Sequence, residues 1–121
     1  MSEAADAPPT TTASVEDLRR LDVRVGTVVR AEPFPEARRP AYRLWVDLGA
    51  GLGVRRSSAQ VTRRYAPADL VGRQVLAVAN LPPRRVAGFE SEVLVLGVPD
   101  AAGEVVLLRP DAPVPDGGRM Y

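Results

Sequence analysis

The stretch NLPPRRVAGFESE, Asn80 to Glu92, gathers more chemistry than any other part of the chain. Pro82 and Pro83 stiffen it. Arg84 and Arg85 bring two guanidinium groups, and Asn80, Ser91 and Glu92 bring an amide, a hydroxyl and a carboxylate. Such a set suits an extended polar ligand, because guanidinium donates to carboxylate, phosphate or carbonyl oxygen while amide and hydroxyl serve either way. The same residues also suit a plain connection between strands, with prolines that limit its freedom and arginines that face water. A second place is Glu32 to Pro40, where Phe34 stands between Pro33 and Pro35 and Arg38 and Arg39 follow. On stiff backbone the ring is a platform for a base or an apolar side chain, or else it folds in and caps the core. A third is the polar run Ser57, Ser58 and Gln60, whose groups either line a groove or bond to a neighbouring loop.

None of this is catalytic equipment. The chain has no cysteine and no histidine, and all 16 of its Lys+Arg positions are Arg. Thiol nucleophiles, disulfides, imidazole bases, Cys/His zinc sites, Schiff bases and the phosphate-binding lysine of a P-loop are thereby excluded. Asp47, Glu90 and Glu92 obey no spacing rule for paired acid and base, and no G-x-S-x-G elbow is present. The expectation is a binding module, not an enzyme, with no cofactor and no metal.

The net charge of +1 is unevenly spread over the 121 residues. Residues 1–18 carry four acids and no Arg, residues 19–98 carry 14 Arg against seven acids, and residues 99–121 carry four acids against two Arg. A basic middle between acidic ends suits an anionic or mixed-charge partner, or simply a well-solvated surface. No apolar run approaches the roughly 20 residues of a membrane span, and the amino terminus has neither a basic start nor an apolar stretch, so a soluble, cytoplasmic protein without membrane insertion is expected.

These residues need a scaffold, and its elements follow from periodicity. Residues 1–13 are small, polar and without period, which predicts a disordered tail ahead of one domain over 14–121. Ser14 and Asp17 have capping-box spacing for a short helix ending near Arg20, with Val15, Leu18 and Leu21 on its apolar face. From Asp22 to Ala31 the period becomes two, with Val23, Val25, Thr27 and Val29 on one face and Gly26 placed for a bulge or bend. Three prolines in residues 32–41 make that segment a surface loop. Strands follow at Tyr42 to Leu48 and Val54 to Gln60, then a helical stretch over Thr62 to Leu70 broken by Pro67 and closed by Gly72. The runs Val75 to Ala79, Val93 to Val98 and Glu104 to Arg109 are the remaining strands, and an irregular tail ends the chain. Strand, strand, strand, helix, strand, strand is the order of an OB-fold, an all-β five-stranded Greek-key barrel with a minor helix.

Three runs carry a resemblance: FPEAR-x-P at Phe34 to Pro40, SSAQVT at Ser57 to Thr62, and NLPPRRVAGFESEVLVLG at Asn80 to Gly97. They closely resemble the CsaA family of export-related bacterial chaperones, part of the wider tRNA-binding-domain family of synthetase appendages and stand-alone OB-fold dimers. The resemblance implies an ATP-independent homodimer that binds unfolded preproteins and works with the Sec translocation machinery. Ser91 is followed here by Glu92, Val93 and Leu94 where tRNA-binding relatives usually have Gly-Met, which favours the chaperone branch, and Leu81 replaces a phenylalanine expected after Asn80. In the peptide reading Phe34 supplies apolar contact, Arg38 and Arg84 meet carboxylates or carbonyls, and Gln60, Asn80, Ser91 and Glu92 satisfy peptide backbone. In the RNA reading the arginines meet phosphate and Phe34 stacks on a base of tRNA. An open Glu92 carboxylate repels phosphate and accepts a peptide N–H, which favours peptide. Val15, Leu18, Leu21 and Trp45 are the expected dimer interface.

Overall fold

A computed structural model describes residues 7–121. Part of the tail expected over 1–13 therefore lies outside the described residues; residues 7–13 are exposed and carry neither helix nor strand. The capping box forms as its spacing predicts. The Ser14 hydroxyl accepts from the Asp17 N–H at 3.1 Å, and the Asp17 carboxylate accepts from the Ser14 N–H at 2.9 Å, opening helix α1 (Val15–Arg19). So short a helix is not stable alone. It is held at its end, where the Arg20 carbonyl accepts from Asn80 Nδ2 at 2.7 Å and the Arg19 carbonyl from Arg119 Nη2 at 2.6 Å. No α1 side chain is buried, so Val15 and Leu18, with Leu21 just beyond, remain exposed.

The elements after α1 are β1 (Val23–Pro33), β2 (Tyr42–Asp47), β3 (Val54–Ala59), α2 (Pro67–Leu70), β4 (Gln74–Val78), β5 (Arg84–Val86), β6 (Phe89–Ser91), β7 (Leu94–Val95), β8 (Gly97–Pro99) and β9 (Val105–Leu107). Five of them form one antiparallel sheet in the order β3-β2-β1-β4-β7. The sheet curls until the Glu92 and Val93 N–H groups both donate to the Arg56 carbonyl, at 2.8 and 3.2 Å, which nearly closes the barrel. This is the expected OB-fold. Val28, Leu44, Val46, Leu70 and Val75 are wholly buried at its centre.

Several details depart from simple periodicity. On β1 the two faces alternate as expected through Val28, with Gly26 and Val28 on the face that meets the barrel core, and the register shift between Val28 and Arg30 then leaves both Val29 and Arg30 exposed. The Val28 N–H donates to the Arg73 carbonyl at 3.0 Å and the Val28 carbonyl accepts from the Gly72 N–H at 2.7 Å, which carries the β1–β4 pairing past Thr27 and Gln74. Gly26 is not the bulge. It is required by close approach, since a Cβ there would lie 2.6 Å from Val46 Cγ1 and 2.8 Å from the Asp47 carbonyl oxygen. Pro67 starts α2 rather than breaking a helix, because the first helical position needs no N–H partner. The carboxy-terminal tail is irregular yet pinned along β1 by Gly117 N–H to Val25 O at 2.7 Å and Met120 N–H to Val23 O at 2.8 Å. Ser57 turns into the core with 1% of its surface exposed, and its hydroxyl has no partner among the described residues.

Two aspartates fasten the outer connections. The Asp22 carboxyl is held below its ordinary value, first by the hydrogen bond from Arg24 Nε at 2.7 Å and further by the charges of Arg24 and Arg119. Asp100 is lowered chiefly by the Glu104 N–H, with the Arg64 side chain and the Ala102 N–H adding to it. A depressed carboxyl stabilises the fold above its unfolded pKa, and that contribution disappears as pH falls through the folded pKa. The urea midpoint is therefore expected to drop below about pH 4, and Asp22→Asn to make that drop shallower.

Candidate functional site

The hairpin β5–β6 is the element that sequence periodicity did not reveal, and it builds most of the site. Its turn is Ala87-Gly88, with φ of 46° and 82°, the two positive values that a tight two-residue hairpin requires. Arg84 pairs with Ser91 and Val86 with Phe89. Phe89 then fixes the hairpin to the barrel, meeting Phe34 edge-on at 5.5 Å and Trp45 at 5.8 Å. Three guanidinium groups complete this layer: Arg30 over Trp45 at 4.3 Å, Arg43 over Phe34 at 5.2 Å and Arg56 over Phe89 at 5.6 Å.

Each of these cations is also paired. Arg30 bonds to Glu32 at 2.8 Å, Arg43 to Glu32 at 2.7 Å, and Arg56 to Glu92 at 2.9 Å with Glu90 at 3.6 Å. Arg38, Arg39, Arg84 and Arg85 have no carboxylate partner among the described residues. Beside the hairpin lies a cleft of about 510 Å³. Arg38, Gln60, Arg84, Ser91 and Glu92, five of the seven expected binding residues, line it. Arg39, Ser58, Leu81, Pro82, Val86 and Leu94 complete most of its wall; Ser58 takes the groove-lining alternative given for its polar run, while Val86 and Leu94 had been given no binding role. Strand alternation puts Arg84 in the cleft and Arg85 outside, as expected for adjacent strand residues. Arg38 and Arg39 sit on a bend outside any strand, where that rule lapses, and both line the cleft.

Two expected binding residues are placed elsewhere. Phe34 is only 3% exposed, so its ring packs inward and is no free platform. Asn80 has both ends of its amide engaged at the junction of α1 and β1, accepting from the Asp22 N–H at 2.8 Å and donating to Arg20. Ser91 and Glu92 face the cleft but also hold its wall, through Ser58 N–H to Ser91 Oγ at 3.0 Å and Arg56 Nε to Glu92 Oε1. Trp45 is half-buried between Arg30 and Phe89, near the far end of β1 from α1. At roughly 3.3 Å per residue that places it about 20 Å from the α1 face. No group of three or more acidic, His or Cys side chains that could hold a metal forms among the described residues. No helix there is long and apolar enough to cross a membrane.

Residues 23–119 match the model of the tRNA binding domain family. The chain superposes on chaperone CsaA from Bacillus anthracis with 55% sequence identity and a TM-score of 0.86, covering 92% of this chain and all of that one. The protein belongs to the tRNA-binding-domain family, with the CsaA proteins. A CsaA chaperone protein from Picrophilus torridus is 38% identical, with a TM-score of 0.85 over 91% of this chain and all of that one. A methionine–tRNA ligase of Porphyromonas gingivalis is 40% identical over 94% of this chain, which spans 16% of the ligase. The match to the ligase thus rests on a small, non-catalytic part of that enzyme.

Proposed function

We propose that this CsaA-family protein is a chaperone that holds unfolded preprotein segments in the hairpin cleft, as a cytoplasmic homodimer that needs no ATP and hands its clients to a component of the Sec machinery. The cleft carries this reading. It joins apolar wall, from Leu81, Pro82, Val86 and Leu94, to the guanidinium groups of Arg38, Arg39 and Arg84, a combination suited to polypeptide. The likeness to CsaA chaperones along the whole of their length supports it. The exposed Val15, Leu18 and Leu21 are the surface for a second copy, because one small barrel leaves them uncovered.

The family match and the unpaired arginines favour a second reading, in which the same cleft binds tRNA. Sedimentation velocity with a labelled unfolded preprotein or labelled tRNA, over a series of salt concentrations, separates the two and reads the oligomer at once. A dimer is expected. Preprotein affinity should be nearly flat in salt, whereas a true tRNA mode falls with a log–log slope of about −2 to −4 if three to five arginines meet phosphate. A monomer at micromolar concentration, or preprotein binding weaker than tRNA binding at physiological salt, counts against the proposal.

A further inference from the structure

The barrel seam contains an open stretch of main chain. β3 pairs with β2 along one edge, and its other edge is occupied at Arg56 by the Glu92 and Val93 N–H groups and at Ser58 by the Ser91 hydroxyl. Alternate residues of a strand direct their N–H and C=O to the same side. Arg56 and Ser58 use the edge away from β2, and Gln60, the first residue past the end of β3, is the next position of that alternation. There the seam stops. The Gln60 N–H and C=O have no partner among the described residues, the residue is exposed, and it lines the cleft. Arg38, Arg39 and Arg84, without carboxylate partners among the described residues, line the same cleft.

We infer that the cleft takes its ligand as an added strand: an extended polypeptide whose main chain pairs with Gln60, continuing the β3 edge past Ser58, and whose acidic side chain is met by Arg38, Arg39 and Arg84. The inference rests on the peptide reading of the cleft and adds the mode and the charge of the segment preferred. Strand addition draws affinity from main-chain hydrogen bonds and specificity from alternate side chains. The cation surplus of the cleft is complementary to a carboxylate on one of those alternate positions. RNA matches the cations as well, but it offers no regular alternation of amide donors and carbonyl acceptors to a strand edge.

The test uses a short synthetic peptide in which apolar residues alternate with Ser and Thr around a single Glu, its affinity followed by fluorescence anisotropy. N-methylation is moved one residue at a time along the peptide. Pairing with Gln60 predicts a loss of about tenfold at the one peptide position whose N–H meets the Gln60 carbonyl, and little change at the positions on either side. Replacing the peptide Glu by Gln or Lys should weaken binding, and the loss should be smaller in Arg84→Gln, where one of the three guanidinium groups is gone. On the protein side Gln60→Pro, which removes the N–H, should lose clearly more affinity than Gln60→Ala, which keeps the N–H and removes only the side-chain amide. If Gln60→Pro melts early, the N-methylation series on the unchanged protein decides alone. Uniform tolerance of N-methylation, or tighter binding of the Lys peptide, overturns strand addition to an acid-bearing segment while leaving peptide binding intact. Binding of tRNA with no peptide binding at all overturns both.

Discussion

Phe34→Ala is expected to cost about 3 kcal/mol of folding stability and to lower Tm by roughly 10 to 20 °C. The ring is 3% exposed, stands edge-on to Phe89 at 5.5 Å and lies under the Arg43 guanidinium at 5.2 Å. Truncation removes one side of the layer on which the β5–β6 hairpin rests and leaves a hole that the prolines on either side keep the loop from closing. Were Phe34 a binding anchor, the signature would be a loss of roughly 1 to 3 kcal/mol in ligand binding at unchanged Tm. Its burial calls for the reverse: a large fall in Tm, with binding by the still-folded fraction much less affected. Calorimetry with anisotropy at a temperature well below both transitions distinguishes them. Phe34→Leu should recover much of the stability, since it restores apolar volume without the aromatic edge.

The strands that carry apolar residues every second position, β2 above all, were legible because Leu44, Val46 and Leu48 have only one face to bury. The Ser14 and Asp17 cap was legible because its partners are three residues apart. What stayed hidden depends on partners distant in sequence. Val23 and Val25 on one face of β1 look as apolar as Val28 on the other, and only packing with Leu44, Val46 and Val75 makes the Val28 face the one that meets the barrel core. The β5–β6 hairpin looked like a loop because its outer residues are polar and its strands are three residues long. The Ala87-Gly88 pair between RRV and FES was its one local signal, muted because alanine rarely adopts positive φ. The cleft residues were found in good part because they are the charged and amide groups near that hairpin. Phe34 and Asn80 were misplaced for a common reason: residue type shows what a group can bind, and only the fold shows that Asn80 is already bonded to Asp22 and Arg20.

Glu92 gives the sharpest revision. Read as an open carboxylate at the mouth of a groove, it should repel phosphate and welcome a peptide N–H, so that Glu92→Gln would strengthen RNA binding and weaken peptide binding. In the fold its Oε1 accepts from Arg56 Nε at 2.9 Å and lies 3.4 Å from the Arg56 N–H, while its own N–H donates to the Arg56 carbonyl at 2.8 Å. The charge is neutralised by Arg56, which also reaches Glu90 and covers Phe89. The carboxylate therefore holds the seam between β3 and the hairpin wall instead of addressing a ligand. Both members are partly exposed, with side-chain exposure of 39% for Arg56 and 25% for Glu92, so the pair falls short of the full strength of a buried one. Glu92→Ala is accordingly expected to cost about 1 to 2 kcal/mol and to weaken peptide and tRNA alike, because the wall that carries Arg84 and Ser91 loosens for either ligand. Glu92→Gln keeps one acceptor for Arg56 and should show a smaller loss of the same sign. Hydrogen exchange should report the cause, as faster exchange at Arg84, Val86, Phe89 and Ser91 in Glu92→Ala, with β1 and β2 unchanged. Opposite signs on the two ligands, with hairpin exchange unaltered, would return Glu92 to the role of a charge that selects between them.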